Sequence, residues 1–325
     1  MEGIEHKTIA VNGLNIHVAE KGRGPVVLFL HGFPELWYSW RHQILFMASH
    51  GYRAVAPDLR GYGDTTGAPA SDAAKFTVLH VVGDVVALID AIAPDEEKVF
   101  VVGHDWGAQI AWYLCLFRPE KVRALVNLSV HFVPRHPTGK IVEIFRNLYG
   151  DDHYICRFQE PGEIEAEFAN IGFKRIVTNF LTYRKTEPFH LPKGKGFGDS
   201  PDDPVILPSW LSEEDIDYYA SKFEQAGFTG GINYYRVFDL NWELTALWAG
   251  AQVKVPVKFI VGDLDMSYNL PGAKDYIHNG GFQKDVPQLD EVVVLEGAAH
   301  YINQEKPDDI NKHILEYVHR KQTSS

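Results

Sequence analysis

The order of residue types along the chain predicts an α/β fold: a mostly parallel eight-stranded sheet flanked by helices, with a helical lid inserted near its middle. Three observations carry the prediction. Uncharged, β-branched runs alternate with amphipathic helical patterns up to about residue 131 and again from about residue 246. The run Val99-Phe100-Val101-Val102 passes into a helical pattern through Gly103-His104-Asp105-Trp106-Gly107, where small residues flank a carboxylate. Between Phe132 and Thr245 the helical patterns follow one another without strands. The expected organisation is a core in two parts, 1-131 and 246-325, with the lid over 132-245.

Two alternating segments open the chain, Lys7 to Val11 and Leu14 to Glu20, joined by Asn12-Gly13, a dipeptide suited to a two-residue hairpin. Val26 to Leu30 is apolar on both faces, as an interior strand requires, and ends at His31-Gly32-Phe33-Pro34-Glu35. An aromatic-rich helix is expected from Trp37 to about Ser49, a strand over Arg53 to Pro57, a glycine-containing loop over Asp58 to Thr65 and a helix over Thr77 to Ala93. After the Asp105 junction and its helix comes another apolar run, Val122 to Leu128. Helical stretches expected in the lid are Gly139 to Tyr149, Glu163 to Ile171, Phe173 to Tyr183, Ser212 to Ala226 and Ile232 to Leu240. Ser212 followed by Glu213-Glu214-Asp215 gives a capping hydroxyl and an acidic first turn. A Pro- and Gly-containing excursion spans Arg184 to Pro208. Strand patterns resume in the runs Val257 to Asp265 and Glu291 to Gly297, and a helix over about Asp308 to Arg320 closes the chain. In such sheets ligands gather at the carboxyl ends of strands, where the Asp105 junction and the turn after Leu30 both fall.

A chain of 325 residues, 45% of them hydrophobic, is long enough to bury a sizeable core. Lys and Arg total 31 against 43 Asp and Glu, a formal charge of −12, which argues against nucleic acid or an anionic membrane surface and favours a neutral or apolar small substrate. Cys115 and Cys156 form neither a disulfide framework nor a metal-ligand pair and read as reduced, buried thiols. The first seven residues lack the apolar stretch of a secretory signal, and no window reaches the roughly 18 apolar residues of a membrane helix. The final residues do not match the peroxisomal Ser-Lys-Leu address, so a cytoplasmic location is expected. With no metal-ligand cluster, phosphate-binding loop or dinucleotide fingerprint in the sequence, no cofactor is expected.

Asp105 occupies the centre of a G-x-nucleophile-x-G spacing whose familiar centre is Ser. A Ser hydroxyl needs a base before it attacks, whereas a carboxylate is anionic at neutral pH and displaces a leaving group from saturated carbon, leaving an ester on the protein. An Asp at this point also suits a plain helix N-cap. The ester must be hydrolysed, and Gly297-Ala298-Ala299-His300 offers an imidazole on a loop of small residues as the general base. Asp265, just past the preceding strand, is placed to orient that base; Asp263 is the alternative, its other reading being closure of the turn. The order nucleophile, acid, base is that of α/β-hydrolases. The backbone N–H groups of Phe33 and Trp106 would form an oxyanion hole, although Phe33-Pro34 alone also fits a simple proline turn.

Four motifs in this order, His31-Gly32-Phe33-Pro34-Glu35, Asp58-Leu59-Arg60-Gly61-Tyr62-Gly63, Gly103-His104-Asp105-Trp106-Gly107 and Gly297-Ala298-Ala299-His300, resemble the plant soluble epoxide hydrolases of the α/β-hydrolase superfamily. The resemblance covers essentially the whole chain. It implies the α/β-hydrolase fold and a cofactor-independent conversion of epoxides, fatty-acid and aryl epoxides among them, to vicinal diols through an ester on Asp105. It further implies that two lid tyrosines protonate the epoxide oxygen, by motif Tyr154 in His153-Tyr154-Ile155 and Tyr235 in Asn233-Tyr234-Tyr235-Arg236, with Tyr149 and Tyr234 as packing residues. By the same resemblance Glu35 helps to position the hydrolytic water, a solvated surface position being the alternative reading.

The Asp-nucleophile branch also holds haloalkane and fluoroacetate dehalogenases, and Trp106 suits either chemistry. A phenol, protonated at neutral pH, favours an alkoxide leaving group, whereas halide departure needs only donors to an anion. A non-catalytic ligand-binding receptor on this scaffold would tolerate loss of a catalytic group, yet Asp105, His300, Asp265, Tyr154 and Tyr235 are all present. The expected partner is a small apolar epoxide, with no nucleic acid and no membrane span, and the expected state is a monomer or weak homodimer.

Overall fold

Helices on both faces of the sheet account for the unbroken apolar runs of its central strands. The structure is a computed structural model and describes residues 3–137, 139–197 and 205–323. Its eight strands are β1 (Glu5–Val11), β2 (Leu14–Lys21), β3 (Val26–Leu30), β4 (Arg53–Pro57), β5 (Val99–His104), β6 (Val122–Leu128), β7 (Val257–Gly262) and β8 (Leu289–Leu295). They lie in the order β1-β2-β4-β3-β5-β6-β7-β8. β2 pairs antiparallel with β1 and with β4, and all other pairs are parallel. Asn12 and Gly13 both have positive φ, as the tight turn between β1 and β2 requires.

In β3, Val26, Leu28 and Leu30 enter one apolar core while Val27 and Phe29 enter another on the opposite face. Helices Val78–Ile92 and Trp106–Phe117 close the first core through Val81, Val85, Ile110 and Leu114. Helices Arg41–Ser49 and Pro307–Thr323 close the second through Ile44, Met47, Ile310 and Ile314. Because β3 lies between β4 and β5, the strand order reverses beside it, and such a switch point opens a crevice at the strand ends. Leu30 pairs with Gly103, so the loop after β3 and the turn after β5 emerge side by side.

Between β6 and β7 the described chain is helical, with principal helices Ile141–Tyr149, Glu163–Ile171, Phe173–Leu181, Glu213–Ala226, Thr229–Arg236 and Phe238–Leu244. Ser212 caps the fourth of these, its Oγ accepting from Asp215 N–H at 3.1 Å. Several boundaries differ from those expected. The segment from Trp37 begins as a 3-10 turn, Trp37–Trp40, before the α-helix. The stretch expected as one helix over Ile232 to Leu240 is two, meeting at Val237. The turn Tyr154–Arg157 had no sequence signal, being too short for a 3.6-residue period to show. Residues 198–204 of the Arg184 to Pro208 excursion lie outside the described residues. No helix among the described residues is long and apolar enough to cross a membrane.

Candidate active site

Strand β5 ends at His104 and the next helix begins at Trp106, leaving one residue to reverse the chain. Asp105 makes that reversal at φ 52° and ψ −120°. A non-glycine residue held there costs on the order of 1–3 kcal/mol, and such strain gathers at functional sites. The packing is close: a Cβ on Gly107 would lie 2.0 Å from the Leu30 carbonyl oxygen. This approach brings the β3 loop against the elbow, where Phe33 N–H donates to Asp105 Oδ1 at 2.7 Å. Trp106, as the first helical residue, has an N–H with no intrahelical acceptor, and the helix N-terminus favours negative charge beside it.

The other carboxyl oxygen faces His300, with Asp105 Oδ2 3.3 Å from Nε2. On the far side of the ring, Nδ1 lies 3.0 and 3.1 Å from the two oxygens of Asp265. Asp265 is fully buried and accepts further bonds at 2.8 Å from Ser267 N–H and Oγ–H. Asp263 instead accepts from Gly297 N–H at 2.7 Å, closing the turn after β8. Burial pushes the Asp265 carboxyl up, but the charge and hydrogen bond of His300 outweigh it and hold the group down at about 2. Asp105 is likewise lowered: burial opposes its charge, and the bond to His300 prevails. For His300 burial disfavours the cation, yet Asp265 and Asp105 together raise its pKa well above the ordinary imidazole value. Both ring nitrogens face carboxylates, an arrangement that favours the imidazolium form.

Behind this group, Glu35 is fully buried and does not line the cavity. Its Oε2 accepts from Gly32 N–H at 3.2 Å and lies 2.7 Å from His104 Nδ1, while Oε1 accepts from Gln304 Nε2 at 3.1 Å. His104 Nε2 donates to the His300 carbonyl at 2.7 Å. A solvated surface position for Glu35 is therefore excluded.

A cavity of about 480 Å³ opens above the carboxylate, and Asp105, Trp106, His300, Tyr154 and Tyr235 all line it. Tyr154 opens a helical turn capped by His153, whose Nδ1 accepts from Ile155 N–H at 3.3 Å. Tyr235 rides on helix Thr229–Arg236, which approaches the Asp58–Gly63 loop so closely that a Cβ on Gly230 would meet the Gly61 carbonyl oxygen at 2.1 Å. The two phenol rings meet edge-on at 5.7 Å, and Tyr235 packs edge-on against Trp106 at 5.2 Å. Burial first, and then the Asp105 charge, raise both phenols well above their ordinary pKa. Tyr234 and Tyr149 do not line this cavity; Tyr234 is buried, donating to the Arg60 carbonyl at 2.9 Å.

A family model described as the alpha/beta hydrolase fold matches residues 25–152. Epoxide hydrolase 2 of Siraitia grosvenorii is 60% identical over 98% of this chain and 99% of its own length. This chain belongs to the epoxide hydrolases of the α/β-hydrolase fold. Solved structures of such enzymes are also similar: epoxide hydrolase I of potato (Solanum tuberosum) at 68% identity and a TM-score of 0.95, and an epoxide hydrolase of Vigna radiata at 59% and 0.92, each covering 98% of this chain and 99% of its own.

Three residues of this epoxide hydrolase were not identified as site residues from the sequence. His104 and Ser129 both bind the His300 carbonyl, Ser129 Oγ–H donating at 3.0 Å, and Ser267 braces Asp265. A signal existed only in position, since each lies within two residues of a strand end or of a candidate acid. Among the described residues, His17, Asp58 and Asp64 bring three potential metal-ligand atoms within 4.8 Å of one another. They lie outside the cavity, His17 binds Asp58 at 2.8 Å, and Lys222 engages both oxygens of Asp64.

Proposed function

We propose that this epoxide hydrolase converts epoxides, fatty-acid and aryl epoxides among them, to vicinal diols through a hydroxyalkyl ester on Asp105. The reading rests on the divided surroundings of one carboxylate: Phe33 N–H holds Oδ1, and Oδ2 is left towards His300 and the cavity. Oδ2 attacks an epoxide carbon, the carbon–oxygen bond of the ring breaks, and Tyr154 or Tyr235 protonates the departing alkoxide. Ester formation removes one of the two anions that hold the proton on His300, so that proton passes to the phenolate and leaves a neutral imidazole oriented by Asp265. His300 then takes a proton from water, which attacks the ester carbonyl carbon. The oxyanion forms on Oδ1, between the N–H groups of Phe33 and Trp106; one such donor is worth roughly 10²–10³-fold in rate. On collapse the bond to Oδ2 breaks, His300 protonates the leaving oxygen, and the new carboxylic acid returns its proton to the imidazole.

Glu35 serves as a positioning residue: through Gly32 N–H it steadies the oxyanion loop, and through His104 the loop that carries the water-activating imidazole. The helices over 132-245 act as the lid, bringing both phenols over the carboxylate while excluding bulk water. The two buried, unpaired cysteines suit the reducing cytoplasm as the site of action. Replacing His300 with Gln should block the second half-reaction and trap the ester. Mass spectrometry after incubation with an epoxide should then find protein heavier by one substrate, located on the peptide containing Asp105. Unmodified protein, with diol formed at the wild-type rate, would contradict the assignment of the base.

A further inference from the structure

We infer that Arg135 receives the terminal carboxylate of an epoxide substrate whose hydrocarbon chain ends in an acid group. The inference rests on the epoxide hydrolase reading above. Among the described residues lining the cavity, Asp105 is the only carboxylate and Arg135 the only permanent cation. Asp105 is paired with His300, whereas no described acidic side chain pairs with Arg135; its guanidinium contacts are with Trp242.

Those contacts hold the group still. Arg135 Nε donates to the Trp242 carbonyl at 2.8 Å, and the guanidinium lies 4.1 Å over the Trp242 ring. In return Trp242 Nε1 donates to the His136 carbonyl at 2.8 Å, clamping this segment to helix Phe238–Leu244. The clamp uses Nε and one face of the cation. The two Nη groups, which can grip a carboxylate in parallel bonds, donate to no described residue. An arginine fixed in advance loses little freedom when an anion arrives.

Charge and polarity narrow the ligand class. A protein of formal charge −12 repels anions at long range, so an anion held in its cavity needs a local cation. Ile141, Phe145, Phe238 and Leu270 give the cavity an apolar wall against which a hydrocarbon chain would be buried. His131 also lines the cavity, but burial pushes it down to about 4, so near neutral pH it supplies no charge. A chain-terminal carboxylate on an apolar epoxide fits this arrangement.

The test compares kcat/KM for an epoxidised stearic acid and for its methyl ester, in the wild type, in Arg135→Gln and in Arg135→Lys. The wild type should prefer the acid, and the preference should weaken as salt is raised. Arg135→Gln should lower the acid-to-ester ratio roughly 10- to 100-fold, chiefly through KM for the acid. Arg135→Lys should restore part of it by keeping the charge without the fork. A residue that only ties two segments together would affect both substrates alike, so an unchanged ratio in Arg135→Gln overturns the inference. That result in an enzyme still active on the ester leaves the epoxide hydrolase reading intact. A wild type inert on both epoxides overturns that reading and this inference together.

Discussion

Asp105 occupies a setting where burial alone would favour a neutral acid, and its lowered pKa reflects partners that outweigh burial: His300 first, then His104 and the Phe33 N–H. The proposed nucleophile thus favours its charged form while largely shielded from water, its side chain 14% exposed. The tyrosines feel the same charge with the opposite consequence, since burial and the neighbouring anion hold their protons on. Raised phenol pKa values mean that the acid needed for ring opening is not lost as pH rises through 9, and a lowered Asp105 means that the nucleophile is already ionised above about 4. The ester-forming step, followed in a single turnover by intrinsic tryptophan fluorescence, should therefore be flat between about pH 5 and 9. Replacing either Tyr154 or Tyr235 with Phe should slow it by about 10- to 100-fold, and the double variant by more than about 10³-fold. Retention of wild-type ester formation in the double variant would remove the phenols from the mechanism.

Elements differ in how plainly the sequence announces them. β3 and β5 are buried on both faces, so every residue up to the terminal His104 of β5 had to be apolar or small and the run itself declared the strand. The elbow was legible for a related reason: only small residues fit where Gly107 meets the Leu30 carbonyl and Gly103 meets Asn127. Gly107→Ala should accordingly displace β3 from the helix and cost about 1–3 kcal/mol, read as a lower midpoint in urea, with activity falling further than stability because Phe33 N–H moves off Asp105. An unchanged midpoint would show that the close approach is relaxed in solution. The helical block was harder to read. Tyr154 sits on a single turn with no period to detect, and Val237 divides two helices with no proline to mark the break. The tyrosine pair was chosen by resemblance, because nothing in spacing distinguishes two phenols among fifteen. Glu35, His104 and Ser129 meet only through tertiary contacts around the loop carrying His300, and Arg135 gains significance only from the wall it shares with Asp105.

At the scale of the whole molecule, the sheet provides a floor and the helices between β6 and β7 a roof, with the proposed chemistry placed in the cavity between them. In the proposed mechanism, floor residues supply the nucleophile, the base and the oxyanion donors, and roof residues supply the acids. This division follows from the topology, since β3, β5, β7 and β8 deliver their carboxyl-end loops to one edge of the sheet. The net charge of −12 suits a protein that stays dispersed in water and draws its substrate by apolar burial rather than by a long-range field. In the proposed route oxygen reaches the diol from Asp105, and water replaces it there. A single turnover with enzyme in excess, in water labelled with heavy oxygen, tests this directly. The label should appear on the Asp105 peptide while the diol from that turnover carries none; label in the first diol, with Asp105 unlabelled, would mean that water attacks the epoxide itself and would contradict the covalent route.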